Sequence, residues 1–240
     1  AAASPTWAQP GVRWIAGGWS VFIAENLILS ENRQAIISRL SDDGYHYLYN
    51  TLSTMATGSI AYGYLRHRSS PPVMTAKPLA AFVLQALGLV GISQLLPALQ
   101  APVAAVPATA AGPPAAGAVQ QQELRVRCPI DFASSRGVGR DEVYGAKRVT
   151  RHPMFYSIAA LGMGCALANP SAPALLALGV GPLAMSLVGT HHQDSRQLRG
   201  IGGKMPELVA RTTSNLPFAA LLDGRQSWSS VGAELKHVNA

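Results

Sequence analysis

Residues 152–193 read HPMFYSIAALGMGCALANPSAPALLALGVGPLAMSLVGTHHQ, and no Asp, Glu, Lys or Arg falls between Arg151 and Asp194. A helix that crosses a bilayer needs about 20 mostly apolar residues. The stretch therefore predicts two short spans, 153–168 and 172–188, broken near Asn169, Pro170 and Pro173. Spans this short imply tilting or local thinning of the bilayer. The same signature recurs upstream. Charges are missing between Asp43 and Arg66 and between Lys77 and Glu123. Only 13% of the chain is charged and 48% is hydrophobic, whereas soluble domains carry about 25% charge. Too few charges remain to give buried helices a wet outer face.

Working outward, a first span runs over 11–29, with Trp14, Trp19 and Phe22 and one acid, Glu25. An acid inside a span is costly and faces protein or water, or it lies at the interface. Residues 30–43 read as a short amphipathic surface helix. Ser30 is its expected cap, and Ile36, Ile37 and Leu40 form its apolar stripe. A second span covers 45–65, with tyrosines at both ends and small residues such as Ala56, Gly58 and Ser59 in its middle. A third covers 78–96. The expected fold class is all-α, an integral membrane bundle of four to five transmembrane helices in a single domain, 1–240. Within it, residues 98–122 are an Ala/Pro-rich linker, flexible or extended, and 192–240 a polar C-terminal tail.

The net charge is +7. The basic residues flank hydrophobic spans rather than line one helix face, which favours membrane-flanking charge over nucleic acid binding. With five spans, one face carries 15 of the 19 Lys and Arg and reads as the stromal, matrix or cytoplasmic side. The opening Ala-Ala-Ala-Ser-Pro reads as a mature terminus left by removal of a targeting peptide. Cys128 lies in a loop and Cys165 inside a span, so no disulfide is expected.

Three histidines are candidate ligands. His152 opens the fourth span, and His191 and His192 close the fifth. A hairpin of those spans puts all three at one membrane face. Neutral imidazole binds haem iron, chlorophyll magnesium or zinc. Solvated caps beside Arg151 and Asp194 are the bland alternative. Lys147, Arg148 and Arg151 form a basic collar for lipid headgroups, or for a phosphate or cofactor carboxylate. The chain has no Cys-x-x-Cys pair and no phosphate-cradling loop, and Gly200, Gly202 and Gly203 follow no strand.

Three blocks carry a resemblance: Leu29-Ser30-Glu31-Asn32-Arg33 with Gly44 through Ser53, Arg148-Val149-Thr150-Arg151-His152-Pro153, and Arg211 through Ala220 with Gly224-Arg225. Together they resemble the NnrU family. That family includes the plastid 15-cis-zeta-carotene isomerase, a membrane haem b enzyme. The resemblance implies a hydrophobic pocket among the spans and a plastid link. It does not carry over the active site. The isomerase's haem-ligand histidines are matched here by Asn26 and Cys165, and a nearby cysteine by Gly162. Cys165 keeps a thiolate as a possible iron ligand. The Arg-His-Pro block also resembles membrane methyltransferases that use S-adenosylmethionine, with His152, Tyr156 and Asp194 at the matching positions.

The resemblance and the missing ligands imply a non-catalytic accessory or scaffolding subunit of a thylakoid membrane complex, a photosystem or light-harvesting assembly. Its expected partners are the other subunits and the lipid bilayer, with no nucleic acid. Its expected cofactors are chlorophyll or carotenoid at His152, His191, His192 and Cys165, with lipids. Metal binding is expected at the three histidines. Haem b is disfavoured. The enzymatic alternatives are a haem-dependent carotenoid cis-trans isomerase and, below it, the methyltransferase.

Overall fold

A computed structural model describes residues 9–94, 103–107, 122–126, 143–201 and 203–237. Cys128, Gly202, the first five residues and most of the 98–122 linker lie outside them. Proline sets where the apolar helices begin. It stands in the first turn of α1 (Pro10–Glu31), α3 (Pro78–Ser93), α5 (Pro153–Ala168) and α6 (Ala172–Ala174). There its missing N–H costs nothing and its fixed φ suits the helix. α6 continues through a π-helical segment, Leu175–Val180, into α7 (Gly181–Leu198).

α1 turns back at Asn32 into α2 (Arg33–His67). Ser30 is not the cap of a surface helix. It lies inside α1, where its hydroxyl donates to the Leu27 carbonyl at 3.3 Å. Asn32 makes the corner instead, its backbone and side-chain nitrogens both donating to the Ile28 carbonyl. The expected surface helix and second span are joined in α2 and separated by a break at Ser41, φ 67° and ψ 170°. That conformation is nearly confined to glycine.

The helices run up and down between two ends. α1 and α2 are antiparallel and close: a Cβ on Gly18 would come within 2.8 Å of the Ala56 carbonyl oxygen. Higher up, Trp14 meets Tyr62 edge-on and the Ser59 hydroxyl donates to the Trp14 carbonyl. Nearer the other end the Tyr45 hydroxyl reaches the Leu29 carbonyl. α3 lies antiparallel on α5, with Gly88 against Leu161 and Ser157. Trp19 of α1 donates its indole N–H to the Ala177 carbonyl at 3.3 Å, which ties α1 to the π segment. One end is closed by short connections: Val73 N–H donates to the Pro170 carbonyl and Lys77 N–H to the Leu167 carbonyl. The other end carries the charges, with Arg199 and Glu31 paired at 2.7 Å.

Among the described residues, Ala172–Leu198 is the one helix long and apolar enough to cross a membrane by length and composition. It continues past residue 188, where the fifth span was expected to end, because α1 and α5 supply partners for its polar last turns. Pro78–Ser93 and Pro153–Ala168 are apolar but only 16 residues each, about 24 Å long. Residues 95–140 form a separate compact unit. In it β1 (Val103–Pro107) pairs antiparallel with β2 (Gln122–Val126), Ala105 opposite Leu124. This part of the expected linker is therefore extended and paired, a departure from an all-α chain.

Behind the charged end, α4 (Ala146–Val149) precedes α5, and the last segments fold onto the corner between them. They comprise α8 (Glu207–Thr212), α9 (Ala219–Leu222) and α10 (Trp228–His237). The expected polar tail is thus helical and docked. Phe218 N–H donates to the Val149 carbonyl at 2.8 Å and Arg151 N–H to the Ser214 carbonyl at 2.9 Å.

Candidate functional site

The charged end holds a buried polar cluster built from three separate sequence blocks. His152 sits at the boundary before α5, because Pro153 holds the preceding residue out of the α-helical region. Its Nε2 lies 2.7 Å from Asp194 Oδ1, on α7. Asp194 Oδ2 accepts from the Asn215 side-chain amide at 2.8 Å and lies 3.5 Å from Arg151 Nη1. Asn215 Oδ1 in turn accepts from the Tyr156 hydroxyl at 2.8 Å and from the Thr190 hydroxyl at 2.9 Å. Asp194 and His152 are only 8% and 9% exposed. A carboxylate this deep must be paired to be tolerated, and here three side chains supply hydrogen bonds or charge.

A second layer fixes the first. Arg151 Nη2 donates to the Thr213 carbonyl at 2.7 Å, and Arg225 donates to the same oxygen at 2.8 Å. The Thr150 hydroxyl donates to the Asn215 carbonyl at 2.5 Å. Arg151 is thus part of the interior rather than a membrane-facing collar. Arg148 is likewise engaged by protein: its Nε and Nη2 fork onto Glu234 at 2.7 and 2.5 Å, and Nη1 donates to Gln226 at 2.7 Å. Lys147 is half-buried beside them and also has an interaction within the chain.

The Arg148 fork holds the Glu234 carboxyl below its ordinary pKa, against an opposing effect of burial. A depressed folded-state pKa gives stability that is present above the unfolded value, about 4.3 for Glu, and is lost as pH falls through the folded value. Glu234 clamps α10, whose Trp228 stacks on Phe218 with ring centroids 6.1 Å apart. We expect α10 to stay docked at neutral pH and to release below about pH 4. The check is the fluorescence difference between the protein and its Trp228→Phe variant across acid titration. Glu234→Gln should remove the transition.

The three histidines are not brought together. His192 Nε2 lies 3.2 Å from the Ser30 hydroxyl and 3.6 Å from Glu31, while His191 is exposed. Among the described residues, no group of three or more His, Cys, Asp or Glu is arranged to hold a metal ion.

The positions matched to the isomerase's ligands sit on different helix pairs. Asn26 is bonded into the α1–α2 interface: it accepts from the Tyr49 hydroxyl and donates to the Phe22 carbonyl. Cys165 is exposed on α5 beside Gln85 of α3, 3.8 Å from its amide nitrogen. Gly162 has no room for a side chain, because a Cβ there would lie 2.1 Å from the Leu178 carbonyl oxygen. Neither Asn26 nor Cys165 offers an imidazole, and the Asn26 amide is already engaged by Phe22 and Tyr49.

Sequence reasoning placed His152, Tyr156 and Asp194 in one pattern but missed Asn215, which joins them. It also missed Thr190 and Glu234. The signal for Asn215 lies in the block Arg211 through Ala220, of which it is the one side-chain amide.

No curated protein and no solved structure matches the chain. A family match does exist, to NnrU protein over residues 15–234. It starts within α1, ends within α10 and takes in every block that builds the buried cluster. On that match the chain belongs to the NnrU family.

Proposed function

We propose that this NnrU-family chain is a non-catalytic accessory or scaffolding subunit of a plastid thylakoid membrane complex. The observation that carries this reading is the state of the two ligand positions. Asn26 has no imidazole and is bonded within the α1–α2 interface, and Cys165 lies on α5 beside Gln85 of α3. A chain that keeps the family frame without the isomerase's ligand histidines is better suited to assembly than to haem chemistry.

In this reading the long helices all cross the bilayer, α6 and α7 as one rod. The exposed apolar side chains of α3, such as Leu79, Phe82 and Leu89, meet lipid, pigment tails or neighbouring subunits. Chlorophyll or carotenoid in the host complex would pack there. The exposed small residues of α2, Thr54, Thr57, Gly58 and Ala61, offer a close-approach face to a neighbouring helix.

The test is an absorption spectrum and a native gel of the same mildly solubilised sample. The expected result is chlorophyll and carotenoid bands on a large complex. A small free species with a haem Soret band would overturn the reading in favour of the isomerase.

One observation favours an enzymatic second reading. His152, Tyr156 and Asp194, the positions of the methyltransferase resemblance, are linked in one chain: His152 to Asp194, and Asp194 and Tyr156 to Asn215. Saturable binding of S-adenosylmethionine by the purified protein would support it.

A further inference from the structure

Beside the buried cluster lies a cavity of about 540 Å³ that has so far no role. It opens between α3, α5, α4 and α10, within the helical unit alone. Its size falls in the range of small-molecule sites, about 300–1,000 Å³. Its walls are apolar: Leu84, Leu87 and Val90 on one side, Ala160 and Met163 on another, Trp228 at the rim. Along α3 the lining runs from Leu84 to Gln94, about 15 Å of helix. The space is therefore elongated, parallel to the helices, with Gln94 at the charged end.

The polar groups on the wall differ in one respect. Tyr156 and Thr150 spend their hydroxyl protons on Asn215. Gln94 is only 7% exposed, yet its Oε1 has no hydrogen-bond partner among the described residues. A buried acceptor left unpaired is costly, and native structures rarely leave one without a reason. A bound molecule that donates one hydrogen bond at this end and is otherwise apolar removes the cost.

We propose that this cavity binds an apolar chain ending in a hydroxyl group, with the chain along α3 and α5 and the hydroxyl donating to Gln94 Oε1. The site is separate from the ligand positions of the isomerase resemblance, since neither Asn26 nor Cys165 lines it. It stands whether or not the chain is a subunit.

The probe is retinol, a fluorescent alcohol with an apolar tail, titrated into the full-length protein in mild detergent. Its control is retinyl methyl ether, which has the same tail and no donor. Retinol should bind saturably and more tightly than the ether by roughly five- to tenfold. Gln94→Leu should erase that preference while the ether still binds. Ala160→Phe, which fills the cavity, should weaken both. If Ala160→Phe does not fold, the Gln94→Leu comparison decides alone. Competition by a linear fatty alcohol identifies a lipid ligand, and competition by a polyprenol alone an isoprenoid one. Absence of saturable binding, a preference that survives Gln94→Leu, or failure of both competitors overturns the proposal.

Discussion

Replacing Asp194 with alanine should lower the conformational stability of the helical unit by about 3–5 kcal/mol, the cost of breaking a buried ion pair from one side. The substitution removes the carboxylate that His152 Nε2, the Asn215 amide and the nearest Arg151 nitrogen share. Arg151 is then a half-buried cation that keeps the Thr213 carbonyl but loses its counter-charge. The measurement is equilibrium unfolding in detergent micelles, followed by circular dichroism. Glu207→Ala is the control, because its pairing with Arg211 is exposed on both sides and should leave the midpoint unchanged. A loss below about 1 kcal/mol, the scale of one ordinary hydrogen bond, would mean that the cluster does not organise this end of the molecule.

The second large effect is a reversal of sign between two glycines. Alanine normally stabilises a helix over glycine by up to about 1 kcal/mol. Gly58→Ala should follow that rule, since nothing lies within 4 Å of its added Cβ. Gly162→Ala should do the opposite and destabilise by about 1–3 kcal/mol, the usual cost of overpacking. Its Cβ would sit 2.1 Å from a backbone oxygen of the π segment, which cannot rotate away as a side chain could. Thermal melting of the two variants side by side is the check. If Gly162→Ala melts as high as Gly58→Ala, α5 is free to move off the π segment.

The charge gaps made most of the helix positions legible. A run without Asp, Glu, Lys or Arg, opened by proline, is a local signal, and Pro153–Ala168 begins and ends where the sequence places it. Two kinds of feature were not legible. Ser41 breaks α2 although serine carries no left-handed preference, and the Asn32 corner displaced the cap expected at Ser30. The strand Val103–Pro107 sits in sequence that reads as a flexible or extended tether, because its pairing depends on a partner, Gln122–Val126, some twenty residues away.

The site was half legible for the same reason. Lys147, Arg148 and Arg151 read as a run of basic residues, and that run alone suggests a surface collar. The partners of the two arginines, Glu234, Gln226, Thr213 and Asp194, come from remote segments, so burial could not be read from spacing. Nor could the separation of His192 from His152: adjacency to the same membrane face does not fix which neighbour each ring meets.

The π-helical turn at Leu175–Val180 sets the angular phase of everything after it. An α-helix advances about 100° per residue, and a π turn holds one residue more than an α turn. Before it, the rod is timed to the wall around Pro173 and Ala174; after it, to the partners of α5 and the closing block. A single deletion there would let the turn close as an α turn and keep Asp194 facing His152, whereas the same deletion in the α-helical turns that follow would swing Asp194 roughly a quarter of a circle away. The angular setting of the site thus passes through a stretch of Leu, Ala, Gly and Val that carries no chemistry of its own.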